Sequence, residues 1–162
     1  MEIRPLTDVD IPAALSLNED SVLDLSPLTA ADLERYRSMT DHVLVCEADG
    51  EVAAFTIAFP PGTAYGSLNY AWHAERFPDF LYLDRIAVGE GFRRRGIASL
   101  LYDHVEALAV PHGRMVCEVN SDPPNVASLA FHAARGYREV GHLRQQDGHE
   151  TVMLAKPLGP AS

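Results

Sequence analysis

Residues 80–108 constrain the fold of this chain more than any other stretch. Residues 80–88 read as a long buried strand, apolar except for Asp84 and Arg85. The strand runs through Gly89-Glu90-Gly91-Phe92-Arg93-Arg94-Arg95-Gly96-Ile97-Ala98 into a helix marked by Leu100, Leu101, Val105 and Leu108 at helical spacing. At a helix start the first backbone N–H groups have no intrahelical partner and sit at the positive end of the helix dipole, so they attract phosphate oxygens. Gly96 lets a ligand approach the backbone where a Cβ would obstruct it, and Ala98 keeps the turn open. Arg93, Arg94 and Arg95 add charge that pairs with phosphates. The segment predicts an anion site; an exposed basic helix start with no ligand is the bland alternative.

The remaining elements are short. Residues 3–6 read as a brief strand, and Asp8 or Asp10 caps a helix carrying Ile11, Ala14 and Leu15 on one face. Thr29 with Asp32 fits a capping pair for a second helix through Leu33, Tyr36 and Arg37. Residues 43–47 and 52–59 predict a hairpin, because Asp49-Gly50 between them tolerates the positive φ angles of a tight turn. Residues 60–78 are expected as an aromatic loop, with Tyr65, Tyr70, Trp72 and Phe77 either covering a substrate pocket or packing on the core. His112-Gly113 ends the helix after the basic loop, and a strand follows at 115–120. Pro123-Pro124-Asn125 opens a helix through Leu129, Phe131 and Ala134 that stops at Gly136. Residues 137–143 and 150–154, joined around Asp147-Gly148, form a final antiparallel pair.

At 162 residues the chain is expected to be one domain, able to bury a core without disulfides or a structural metal. Cys46 and Cys117 lie in short apolar runs without metal or redox spacing and read as buried thiols, and the histidines show no His-Glu-x-x-His pattern, so no metal is expected. A net charge of −10 disfavours nucleic-acid binding. Gathered in a cleft it would favour a cationic substrate; dispersed it only solubilises. The amino terminus lacks a secretory pattern and no apolar run approaches the ~20 residues that span a bilayer, so a cytoplasmic protein without membrane contact is expected. Two familiar phosphate loops do not fit. Ile97 and Ala98 stand where Gly-x-x-x-x-Gly-Lys-Ser/Thr requires Lys and Ser/Thr, and Arg94 replaces the third glycine of Gly-x-Gly-x-x-Gly.

Arg93-x-x-Gly96-x-Ala98 resembles the Arg/Gln-x-x-Gly-x-Gly/Ala loop with which the GNAT N-acetyltransferase superfamily holds the pyrophosphate of acetyl-coenzyme A. Asn125 followed by Phe131-His132-Ala133-Ala134-Arg135-Gly136-Tyr137 resembles the family's next helix, which begins near an Asn and ends in Phe-Tyr-x-x-x-Gly-Phe. The order of elements agrees from Ile3 to about Leu158. The resemblance implies an α/β (α+β) fold, a mixed, mostly antiparallel sheet of about six to seven strands flanked by about four helices, in a single domain over residues 1–162. It implies transfer of an acetyl group from acetyl-coenzyme A to a primary amine by direct attack in a ternary complex, and a possible homodimer. By the same resemblance, Ala87 and Val88 line the pantetheine arm, with the Val88 amide as donor to the thioester oxygen. The backbone of Arg94, Arg95, Gly96, Ile97 and Ala98 holds the pyrophosphate, and Asn125 contacts the pantetheine.

The chain departs from the family at His132, where a tyrosine commonly protonates the departing thiolate. An imidazole, with an ordinary pKa of about 6.5, acts as an acid only in its protonated fraction. His132 is therefore either that acid or a polar residue on a helix face, and the replacement motivates a second reading, a coenzyme A binding regulator with little transferase activity. An ammonium must lose a proton before attack, and Asp84, Glu118 and Tyr82 are the candidate bases. Asp84 pairing with Arg85, or Glu118 with some other cation, are the structural alternatives. Cys117 has no local base and is a poor nucleophile. The acceptor, whether a small amine, an amino acid derivative or a protein amino group, meets a pocket built by the early helices and residues 60–78.

Overall fold

The computed structural model describes residues 1–21 and 25–159. In chain order its elements are β1 (Glu2–Pro5), α1 (Ile11–Asp20), α2 (Ala30–Met39), β2 (Val43–Ala48), β3 (Glu51–Phe59), α3 (Leu68–Arg76), β4 (Leu81–Val88), α4 (Ile97–Ala109), β5 (Arg114–Asp122), α5 (Val126–Ala134), β6 (Arg138–Arg144) and β7 (Glu150–Pro157). The strands form one sheet in the order β1-β2-β3-β4-β5-β7-β6. Every neighbouring pair is antiparallel except β4 with β5, which are joined by α4 as a crossover.

Local chemistry explains most of these boundaries. Asp49 and Gly50 take φ of 55° and 77°, as the β2–β3 turn demands. Thr29 and Asp32 exchange side-chain to backbone hydrogen bonds of 3.1 and 3.0 Å and start α2. Side chains alternate across the sheet. Phe55, Ile57, Phe59, Tyr82 and Val116 face one way, where they bury Leu33 and Tyr36 of α2 and Tyr70 of α3. Leu81, Leu83, Met115 and Cys117 face the other way, against Tyr102, Val105 and Ala109 of α4. Each large apolar side chain so buried contributes about 1.5–3 kcal/mol. Glu106 of α4 adds a polar tie: it accepts from Lys156 Nζ (2.7 Å), Tyr137 Oη (2.9 Å) and Arg135 Nε (3.2 Å). Burial works against its ionised form, and these three donors win, holding its pKa below the ordinary value.

Residues 60–78, expected as a loop, contain helix α3, which makes five α-helices among the described residues rather than about four. Ser67 starts it by accepting from the Tyr70 amide at 3.3 Å. Its aromatic residues serve the core rather than a mobile cover. Tyr65 stacks on Phe59 with centroids 4.2 Å apart, and Tyr70 meets Tyr82 edge-on at 5.6 Å. Among the described residues no helix is long and apolar enough to cross a membrane.

One feature of the sheet positions the site. β4 and β5 pair only through Leu81 with Met115 and Tyr82 with Val116, and then diverge. From Leu83 and Cys117 onward the two strands border an open wedge, each with backbone groups no longer paired to the other strand.

Candidate active site

The basic loop forms a cradle at one end of the wedge. Gly96 has φ of +77°, in the left-handed region that favours glycine, and a Cβ placed there would meet nothing within 4 Å. No side chain caps α4. Its ladder begins with the Leu100 amide bonding to the Gly96 carbonyl at 3.0 Å, which leaves the amides of Ile97, Ala98 and Ser99 without intrahelical partners. Val88, Phe92, Arg93, Arg94, Gly96 and Phe131 border a depression of about 250 Å³ in front of these amides. Arg94 is itself left-handed at φ 63°. Arg95 does not line the depression, because its side chain pairs with Asp49 at 2.8 Å and ties the loop to the β2–β3 turn. Open space, unpaired amides and two arginines suit a diphosphate.

A larger cavity of about 590 Å³ fills the wedge and extends toward α3 and the β6–β7 turn. Both expected carboxylates line it, and they differ in kind. The β3–β4 register slips so that Arg85 faces Ile57 and Leu83 faces Ala58, which leaves Asp84 as a bulge residue. Asp84 Oδ1 accepts from Tyr65 Oη at 2.6 Å and Oδ2 from Arg85 Nε at 2.7 Å, with both side chains of the ion pair nearly buried. Asp84 is thus fully engaged. Glu118 accepts from Tyr82 Oη at 2.7 Å through Oε1, but its Oε2 is buried with no hydrogen-bond partner. The Asn69 amide approaches Glu118 without completing a well-formed bond. Burial, reinforced by the charge of Asp84, pushes the Glu118 carboxyl up to about 8. Tyr82, a donor here and held far above its ordinary pKa by burial, is not itself a base.

His132 lies at the inner wall, 5% exposed. Its Nδ1 is 2.7 Å from the Ser128 carbonyl oxygen and its Nε2 is 2.6 Å from Tyr102 Oη. A carbonyl only accepts, so the hydrogen-bond pattern assigns the proton to Nδ1 and makes Nε2 the acceptor of the phenol hydrogen. Burial lowers the imidazole pKa, which favours this neutral form. At rest His132 therefore presents an acceptor, and the hydroxyl in its neighbourhood belongs to Tyr102. Asn125 caps α5, its Oδ1 accepting from the Ser128 amide at 3.1 Å, while the residue lines the same cavity. Ala87 is buried in β4. Cys117 is buried and its thiol is pushed well above the ordinary range, which leaves it inert.

Sequence reasoning missed Tyr102, Asn69 and Gln145, and read Tyr65 only as a pocket cover or core contact. Tyr102 alone left a signal: it falls on the apolar face of α4, and a buried tyrosine needs a partner for its hydroxyl.

The mixed sheet splits between two parallel strands, with an uncapped helix start beyond the end of one and a buried, unpartnered carboxyl oxygen on the other. Residues 13–137 match the acetyltransferase (GNAT) family, and the chain belongs to that family. Its fold is similar to that of the ribosomal-protein-S18-alanine N-acetyltransferase from Escherichia coli, at 20% identity and a TM-score of 0.71 over 99% of this chain and 96% of that one. It is also similar to Ard1 from Thermoplasma volcanium, at 19% identity and a TM-score of 0.75 over 97% of each chain. Chaetomium thermophilum Naa20, solved in complex with a bisubstrate analogue, shares 17% identity and a TM-score of 0.76 over 98% of this chain and 87% of that one. Comparison with curated proteins finds no significant match. The protein is an acetyltransferase, of a family that uses acetyl-coenzyme A and acts on amines.

Proposed function

We propose that the enzyme transfers the acetyl group of acetyl-coenzyme A to a primary amine by direct attack in a ternary complex. One observation carries this reading: the open cradle at Gly96 and the unpartnered Oε2 of Glu118 border the same wedge between β4 and β5. The amides of Ile97, Ala98 and Ser99, with Arg93 and Arg94, hold the diphosphate. The edge of β4 at Ala87 and Val88, unpaired to β5, guides the pantetheine, and Asn125 approaches it from α5. Acetyl-coenzyme A supplies an activated acyl carbon. Glu118 takes a proton from the bound ammonium, so that the free amine attacks that carbon. The Val88 amide donates to the carbonyl oxygen, where negative charge develops in the transition state.

The thiolate departs beside Tyr102 and His132. Tyr102 gives its hydroxyl proton to sulfur as the carbon–sulfur bond breaks; the acylated nitrogen sheds its second proton to solvent as the amide forms, and Nε2 of His132 takes a proton from solvent and returns it to the phenolate. Asp84 holds Arg85 and shapes the wall rather than moving protons.

The test joins binding to turnover. Acetyl-coenzyme A at about a hundred times its Kd should stabilise the protein by roughly 2.7 kcal/mol, and Gly96→Asp should abolish that gain by filling the cradle with a carboxylate. Amines should then accelerate thiol release from the wild type. Firm binding without thiol release across a broad amine panel would instead establish a coenzyme A binding protein.

A further inference from the structure

The walls of the larger cavity are unevenly charged for a site that receives an amine. Among the described residues Arg85 is the only Lys or Arg that lines it. In the sequence, residues 22–24 are Val-Leu-Asp and include no basic residue. Arg85 is committed elsewhere. Nε serves Asp84 at 2.7 Å, Nη1 serves both Asn18 Oδ1 and the Ser26 carbonyl at 3.0 Å, and Nη2 serves Ser26 Oγ at 3.0 Å. These bonds spend four of its five N–H groups inside the protein, and its side chain is 5% exposed. Of the two histidines on the wall, His132 is occupied on both nitrogens by Ser128 and Tyr102, and His149 faces the carboxylate of Asp147 through Nδ1. Against these stands the buried, unpartnered Oε2 of Glu118. The rest of the polar wall is neutral. Gln145 Nε2 donates to Asn69 Oδ1 at 2.8 Å and to Thr151 Oγ1 at 2.9 Å, a network that leaves further amide and hydroxyl positions for a ligand.

Resting on the acetyl-transfer reading, we infer that the acceptor is a primary amine with no carboxylate on the carbon bearing the reacting nitrogen, its other polar groups being neutral or cationic. The ammonium docks at Oε2 of Glu118, and hydroxyl or amide groups meet the Asn69 and Gln145 wall. A free α-amino acid would bring its carboxylate within a few ångströms of that docking point. There it would find Glu118 and the already neutralised Asp84–Arg85 pair, with no free Lys or Arg among the described residues to receive it. An unpaired carboxylate in a desolvated site is costly, and beside a second carboxyl it is more so. An amine that lacks the group does not meet this penalty.

Matched pairs test the inference, because each differs only by the carboxylate: serine and ethanolamine, histidine and histamine, tyrosine and tyramine, lysine and cadaverine. In a thiol-release assay with acetyl-coenzyme A, the carboxylate-free member should have the higher kcat/KM by at least about tenfold in every pair that is turned over. Asn69→Lys, which places a cation on the wall, should shrink that ratio without a matching change in acetyl-coenzyme A affinity. Equal or better use of the free amino acids by the wild type overturns the inference and leaves acetyl transfer standing. Failure of every amine to accelerate thiol release overturns both.

Discussion

Glu118→Gln separates a poised base from a merely buried carboxyl. The glutamate lies about 3.5 pH units above its ordinary value, at about 8 against 4.5, which corresponds to roughly 5 kcal/mol at 1.36 kcal/mol per unit. The folded-state pKa is raised, so the sign is as follows. Below about pH 4.5 the carboxyl is protonated in both folded and unfolded chains and costs nothing. Between about pH 4.5 and 8 the unfolded chain ionises first and the native state loses stability. Above about pH 8 the whole cost is present. Roughly 5 kcal/mol is an upper figure, since a carboxylate once formed can draw water in from the cavity. Glutamine keeps the shape and never ionises. Urea unfolding at about pH 5 and about pH 9 should therefore show the variant gaining on the wild type by several kcal/mol at the higher pH.

Activity should move the other way. Wild-type kcat/KM should rise with pH and level near 8 as the base forms. The glutamine variant should lose about 10²–10⁴ in rate, with its remaining pH dependence displaced to the acceptor's own pKa. If the variant keeps both the rate and the limb near pH 8, Glu118 is not the base. If the stability difference between the two proteins is the same at both pH values, the carboxyl is not raised.

Two further perturbations probe the inner wall and the docking of α3. Tyr102→Phe and His132→Ala should each lower kcat about tenfold or more while the KM for acetyl-coenzyme A stays within about twofold, because both act at departure of the thiolate rather than in binding; steady-state kinetics at saturating amine measure this, and an unchanged kcat in either variant removes that residue from the proton path. Gly141→Ala would drive its Cβ into Cζ2 of Trp72, whose ring is also held by Arg76 at 3.8 Å. Overpacking of this kind costs about 1–3 kcal/mol, and it should lower Tm and raise the KM for the acceptor together, read by calorimetry and initial rates.

What was legible in the sequence is what neighbours in sequence decide. The Asp49-Gly50 turn, the Thr29–Asp32 caps and the passage from β4 through Gly96 into α4 depend on φ angles, caps and periodicity within a few residues, and each formed where expected. Helix α3 depends on distant support. His73 Nε2 meets the Cys117 carbonyl at 3.2 Å, on a strand whose pairing with β4 has lapsed, and Trp72 rests on Gly141 of β6. None of those partners is near α3 in the chain, so its aromatic residues read as loop.

The two candidate bases carry the same lesson into chemistry. Along the sequence Asp84 and Glu118 looked alike, each a lone carboxylate in an apolar strand. A single register slip separates them. The bulge at Asp84 leaves it bonded to the guanidinium of its own neighbour, and the chain before α3 delivers the Tyr65 hydroxyl to its other oxygen. Glu118 sits on the opposite bank, where the sheet has parted, and receives one phenol on one oxygen. A carboxylate with both oxygens satisfied is a strut that holds the wall. One with a bare buried oxygen holds its proton to about pH 8 and gives it up near the pH at which an amine can be activated. The opening of the sheet that admits a thioester is thus also what leaves Glu118 short of partners, so that a single topological defect makes both the substrate channel and the base.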